Sequence, residues 1–166
     1  MNKLKRTLKH LLAGRWQVRR RFPAVSMQAI DDAIQRSETN HMGELRFAVE
    51  AGLDWHELWH GITPRQRAIE AFSQLQLWDT EHNSGVLIYL LLADRRVEIV
   101  ADRGIHARVG EEGWGSICRE MEAAFRTGHF EQGVLTGITR ISTLLAEHFP
   151  ATASNSNELS NKPVTL

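Results

Sequence analysis

Residues 78–104, WDTEHNSGVLIYLLLADRRVEIVADRG, limit the fold more than any other stretch of the chain. An unbroken apolar run over 86–93, rich in Val, Ile, Leu and Tyr, has no polar alternation and predicts a strand buried on both faces. Asp94-Arg95 supplies a turn. The chain then returns over 96–102 with Val97, Ile99 and Ala101 on one side and Arg96, Glu98 and Asp102 on the other, the pattern of a half-buried strand. The two form an antiparallel hairpin at the centre of a sheet. With the turn at 94–95, Asp102 falls opposite Leu87 and Gly104 opposite Gly85.

The flanking segments supply what packs on this hairpin. Residues 44–50, ELRFAVE, alternate as a strand covered on one side. Thr63 caps a helix with Pro64 at its first position, running to about Leu77 with Ala68, Ile69, Phe72 and Leu75 inward. A strand, a helix and a strand make a crossover, so 44–50 runs parallel to 85–93. Ser26 caps a helix over 26–40 with Met27, Ile30, Ala33 and Ile34 on one face. Residues 105–109 read as a short strand or turn, and two helices follow, about 112–127 and 130–148, divided by Gly128. The small polar residues of 151–166 predict a disordered tail. The chain thus divides into a basic helix (1–22), an α/β domain (23–150) and that tail.

Charge is distributed unevenly along the 166 residues. Residues 1–30 hold eight Lys or Arg and no acid, whereas 31–150 hold eleven Arg and nineteen Asp or Glu. Leu4, Leu8, Leu11, Leu12 and Trp16 recur at helical spacing among these basic residues, which predicts a basic amphipathic helix over 2–21. Three roles stay open for it: contact with an anionic membrane surface, contact with a nucleic acid backbone, or docking of its Leu stripe on the domain. No segment is apolar enough to span a bilayer, and Leu11-Leu12-Ala13 is too short for a signal-peptide core. A cytoplasmic protein is expected, with a peripheral position at the membrane left open. Cys118 stands alone in an apolar helical segment, as a buried inert thiol would.

Two groups of residues carry candidate chemistry. His56, Glu57 and His60 match the H-E-x-x-H pattern that sets two imidazoles on a zinc ion with a Glu as general base. Gly61 and Pro64 stop any helix directly afterwards, so a short surface helix held by Trp55 and Trp59 is the preferred reading. The second group follows from the predicted topology, which gathers Glu44, Asp79, Glu81, Asn83 and Asp102 at one end of the sheet. Such oxygen ligands suit Ca²⁺ or Mg²⁺. The competing reading is a solvated acidic edge neutralised by Arg46 and Arg103.

The segment N-x-G-V-L-I-Y-L-L-L-A-x-R-x-V-E-I-V-x-x-x-G-I, residues 83–105, resembles the core of the TPM domain family. So does F-x-x-G-x-F-x-x-G-V-x-x-G-I at 125–138, and the similarity runs over about 25–148. The resemblance implies a three-layer α/β/α sandwich around a small mixed sheet with a central antiparallel hairpin. It also implies Ca²⁺ or Mg²⁺ binding, as in some members, and the acid phosphatase activity attributed to a plant member. No organic cofactor is expected. The chain departs from commoner members in having no secretory signal, no C-terminal membrane span and Asp-Arg-Gly-Ile at 102–105. The expected function is a divalent-cation-binding or protein-interaction module. A metal-dependent phosphatase using Arg95, Arg96 and Arg103, or a zinc hydrolase, are the alternatives.

Overall fold

The computed structural model describes residues 3–80, 83–151 and 160–166. At its centre stands β2 (Gly85–Leu91), with all seven residues buried. Its side chains alternate between two cores, as a strand covered on both faces requires. Val86, Ile88 and Leu90 face one core together with Ile30, Ile117, Met121, Val134 and Ile141. Leu87, Tyr89 and Leu91 face the other with Leu53, Ala68, Ala71 and Leu77. The first core is covered by α2 (Arg15–Arg21), α3 (Ala24–Ser37), α6 (Arg103–Arg126) and α7 (Phe130–His148). The second is covered by α5 (Pro64–Gln74).

The sheet has the order β3-β2-β1-β4, where β1 is Glu44–Glu50, β3 Arg96–Ala101 and β4 Val164–Thr165. The expected crossover is present: β1 pairs parallel to β2 from Glu44↔Gly85 to Glu50↔Leu91. The expected hairpin is present too, with β2 and β3 antiparallel from Val86↔Ala101 to Leu91↔Arg96.

Its register corrects the sequence reading by two residues. The amides of Leu92 and Ala93 bond to the carbonyls of Glu50 and Ala51 at 2.9 and 3.0 Å, so this part of the chain continues along β1. The hairpin therefore closes over 92–95, with Arg95 at φ 51°. The Asp102 amide bonds to Gly85 O at 2.9 Å, so Asp102 stands beside Gly85 and not Leu87.

Four further expectations change. Residues 105–109 are helical, because Asp102 caps α6 and Arg103 already begins it. Gly110, at φ 75°, marks a kink within that helix. The single N-terminal helix is two, α1 (Lys3–Leu11) and α2, separated at an extended Gly14. The tail over 151–166 is in part a strand: Val164 and Thr165 pair with Ala48 and Val49. The middle of that segment, 152–159, lies outside the described residues. Ser26 is not a cap; α3 starts after Pro23, and the buried Ser26 hydroxyl donates to the Glu131 carboxylate.

Candidate functional site

Of the five residues expected to hold a cation, four lie among the described residues. Glu44 opens β1 and is buried, its amide on Ser84 O at 3.0 Å. Asp102 caps α6, with Oδ1 accepting from the Arg103 amide at 2.6 Å. Its Oδ2 is buried and finds no hydrogen-bond partner among the described residues. Asp79 and Asn83 are exposed in the loop before β2, with Asn83 at φ 49°. Glu81 lies outside the described residues.

Among the described residues, no three of the His, Cys, Asp or Glu side chains gather to hold an ion. Nor do Arg46 and Arg103 form ion pairs there; burial lowers the Arg46 pKa, and its Nε is buried without a partner. A carboxylate that sequence reasoning missed, Glu38, does interact with Glu44. Glu38 accepts from the Leu45 amide at 2.9 Å and from Asn161 Nδ2 at 2.7 Å. Burial pushes its carboxyl up to about 7, opposed by the Leu45 amide and reinforced by the Glu44 charge. No local signal points to a pair 123 residues apart in the chain.

The HELWH segment forms α4 (Trp55–Trp59), five residues long. Its glutamate is engaged as a structural group. Glu57 closes a capping box with Asp54, two bonds of 2.8 Å, and lies 3.2 Å from Arg67. The His56 and His60 ring centroids lie 4.1 Å apart with the planes tilted by 38°, and His60 Nδ1 is bonded to His56 O. Both imidazoles are exposed, and no third ligand stands with them among the described residues. The expectation that Trp55 and Trp59 hold this helix down is reversed: they are 56% and 73% exposed, with rings 5.6 Å apart.

At the carboxyl ends of the parallel strands, where ligands of open α/β sheets usually sit, the space is filled by a closed ionic cluster. Arg67 of α5 grips both oxygens of Glu50 at 2.9–3.2 Å, and the Tyr89 hydroxyl donates to the same carboxylate. Burial, then the Glu50 charge, pushes the Tyr89 pKa far up; the phenol stays protonated. This cluster holds the fold.

The N-terminal helices do not dock their Leu stripe on the domain, one of the three roles foreseen. α1 docks through its polar side. Arg6 bonds to Asp94 Oδ2 at 2.9–3.0 Å, and His10 Nε2 lies 3.1 Å from Asp94 Oδ1. His10, fully covered, accepts the Leu53 amide on Nδ1 at 2.9 Å. Burial alone would raise the Asp94 carboxyl, but His10 and Arg6 together bring it from 3.8 down to about 2. Its contribution to docking is therefore present above pH 3.8 and lost as the pH falls toward 2.

With the polar side inward, the apolar stripe faces out: Leu4, Leu8, Leu11, Leu12 and Trp16 are 53–75% exposed. Lys5, Lys9, Arg15, Arg19 and Arg20 are exposed around it. α1 also touches α4, which adds the exposed Trp55 and Trp59 to the same end of the molecule.

A four-stranded mixed sheet between two helical cores, with a helical arm latched to the hairpin turn, defines a small α/β domain carrying an added basic surface. The chain belongs to the TPM domain family, which matches residues 22–144. The arm precedes the matched region. The chain is similar to the NMR structure of the BA42 protein from the psychrophilic bacterium Bizionia argentinensis, at 30% identity and a TM-score of 0.77. That likeness covers 87% of this chain and 95% of the other. No curated protein matches the sequence.

Proposed function

We propose that this TPM domain is a non-catalytic module that docks on anionic membrane surfaces through α1 and α2. The observation that carries this reading is the outward Leu stripe of a helix whose polar side is latched to the domain. A helix that only completed the core would turn those leucines inward. Apolar side chains flanked by Lys and Arg suit the headgroup boundary of a bilayer, where tryptophan is also favoured. The same feature argues against a nucleic acid, whose backbone offers nothing to five exposed apolar residues. Among the described residues, no helix is long and apolar enough to cross a membrane, so the contact is peripheral.

Sedimentation with phosphatidylcholine vesicles, with and without phosphatidylserine, tests it. The wild type is expected to bind only the anionic vesicles, with affinity falling as salt rises. Leu8→Asp/Leu12→Asp removes two anchors worth about 1.5–3 kcal/mol each when fully buried, so roughly 100-fold weaker binding is expected. Equal binding by the variant would reject the reading.

Divalent-cation binding is a second reading, favoured by the buried Asp102 Oδ2, which has no hydrogen-bond partner among the described residues. Millimolar Ca²⁺ or Mg²⁺ should then raise the melting midpoint of the wild type by roughly 5 °C at saturation, and leave Asp102→Ala unmoved. No shift in the wild type removes the ion. The phosphatase alternative has less support: Arg95 and Arg103 stand at opposite ends of β3, and Arg96 pairs with Glu122.

A further inference from the structure

Beside the apolar stripe, the arm and the hairpin turn enclose a cleft of ≈ 240 Å³. Lys9 comes from α1, Trp16, Arg20 and Arg21 from α2, Arg95 from the turn and Phe130 from the start of α7. Four cationic side chains line it and no carboxylate does. Among the described residues none of the four has an acidic side chain within 4.0 Å, whereas the neighbouring Arg6 is fully paired. Asp94, next to Arg95 in the chain, is taken by Arg6 and His10. Like charges converging in a concave site raise the energy of the empty state, and an anion relieves it.

Two details of the backbone and rings fix the arrangement. Arg95 adopts φ 51°, a left-handed conformation uncommon outside glycine, which a turn can hold where a side chain must be aimed. The Arg21 guanidinium lies 4.9 Å from the centre of the Phe130 ring and is held there as a cation–π pair. The contrast with the other charged cleft, between β3 and α6, decides which one calls for an anion. There Arg96 lies near Glu122, Arg119 near Glu112, and Arg65 donates to Ile99 O at 2.6 Å. That cleft neutralises itself; the one beside the arm does not.

We infer that this cleft binds the phosphomonoester headgroup of a membrane lipid. The inference rests on the membrane-surface reading and deepens it. Trp16 belongs to both features, exposed in the apolar stripe and lining the cleft, so a headgroup held there keeps its acyl chains on the stripe side. A phosphomonoester carries about −1.5 to −2 charge near pH 7 with three terminal oxygens. It therefore meets four cations that have no acidic partner among the described residues better than a phosphodiester with a single charge. Guanidinium–phosphate bonds are charge-assisted, and their convergence in one cleft brings geometric selectivity that the cations spread along the stripe lack.

The test compares the full chain on charge-matched vesicles of phosphatidylcholine with phosphatidic acid or with phosphatidylserine. A second arm titrates glycerol 3-phosphate and follows backbone amide shifts by NMR. Expected are an about tenfold preference for phosphatidic acid and amide shifts at Lys9, Arg20 and Arg95. Arg20→Gln/Arg95→Gln, both exposed positions, should retain the wild-type amide spectrum elsewhere, lose the preference and lose the shifts. Equal binding of both lipids without amide shifts overturns the cleft and leaves the membrane reading standing. Amide shifts without binding to any vesicle overturn the membrane reading and the lipid source. A preference that survives in the double variant also overturns the cleft.

Discussion

Gly85→Ala is expected to cost about 3 kcal/mol or more of stability, a severe loss for one methyl group. A Cβ at position 85 would stand 2.0 Å from the carbonyl oxygen of Leu77 and 2.9 Å from its carbon. Both are backbone atoms, and Leu77 is itself held, its amide on Phe72 O at 3.2 Å and its side chain in the core. Neither side can swing aside, so either the loop before β2 lifts or the first residues of β2 leave the sheet. Gly85 also pairs with Glu44 and accepts from Asp102, so the disturbance reaches β1 and the start of α6. Urea denaturation measures the loss. Gly104→Ala is the control: its Cβ meets only Asn83 O, at 3.8 Å, in the first turn of a helix. No loss is expected there, and a gain of up to about 1 kcal/mol is. Equal midpoints for the two variants would show that the Leu77 carbonyl yields, contrary to this account.

Arg67→Met should be nearly as damaging. Glu50 and Arg67 are 10% and 12% exposed at their side chains, and Glu57 and Glu70 also lie on Arg67 at 3.2 and 3.3 Å. Removing the guanidinium leaves a buried carboxylate whose remaining side-chain donor among the described residues is the Tyr89 hydroxyl. Breaking one side of such a pair costs about 3–5 kcal/mol, most of it the desolvated charge left behind. The double variant Arg67→Met/Glu50→Gln removes that charge and should recover about 2 kcal/mol of the loss. If the double variant is no more stable than the single one, the damage is lost packing and the ionic account is wrong.

The parts of the fold legible in the sequence were those decided by local pattern. The apolar run of β2 needs two covering layers, and it has them. The alternation of β1 and the helix that follows it force a parallel pairing, and that pairing is present. What failed depended on a competitor from elsewhere. The hairpin register slipped because the residues after Leu91 bond to β1 before the chain turns. β4 escaped notice because two residues carry no periodicity, and their pairing is made by a strand more than a hundred residues earlier.

The site was less legible. Helical spacing identified the Leu stripe of the arm but could not say which side of the helix meets the domain. That choice is made by Arg6 and His10 on Asp94, 88 residues away from Arg6, and by the Leu53 amide on His10. Periodicity likewise placed Trp55 and Trp59 on a helix without revealing that they face solvent. Convergence of Lys9, Arg20, Arg21 and Arg95 required the arm to be docked first, since three separate elements supply them.

The central claim concerns orientation: the arm meets the bilayer with its leucines while its polar side stays on the domain. Depth measurement with a nitroxide attached at Leu8→Cys tests this most directly, in a Cys118→Ala background with Thr139→Cys on α7 as reference. On phosphatidylserine-containing vesicles the label at 8 should gain accessibility to dissolved oxygen and lose it to an aqueous nickel complex. The label at exposed Thr139 should report water throughout. A label at 8 that stays as accessible to the aqueous complex on vesicles as in solution, while the protein is bound, would contradict the account.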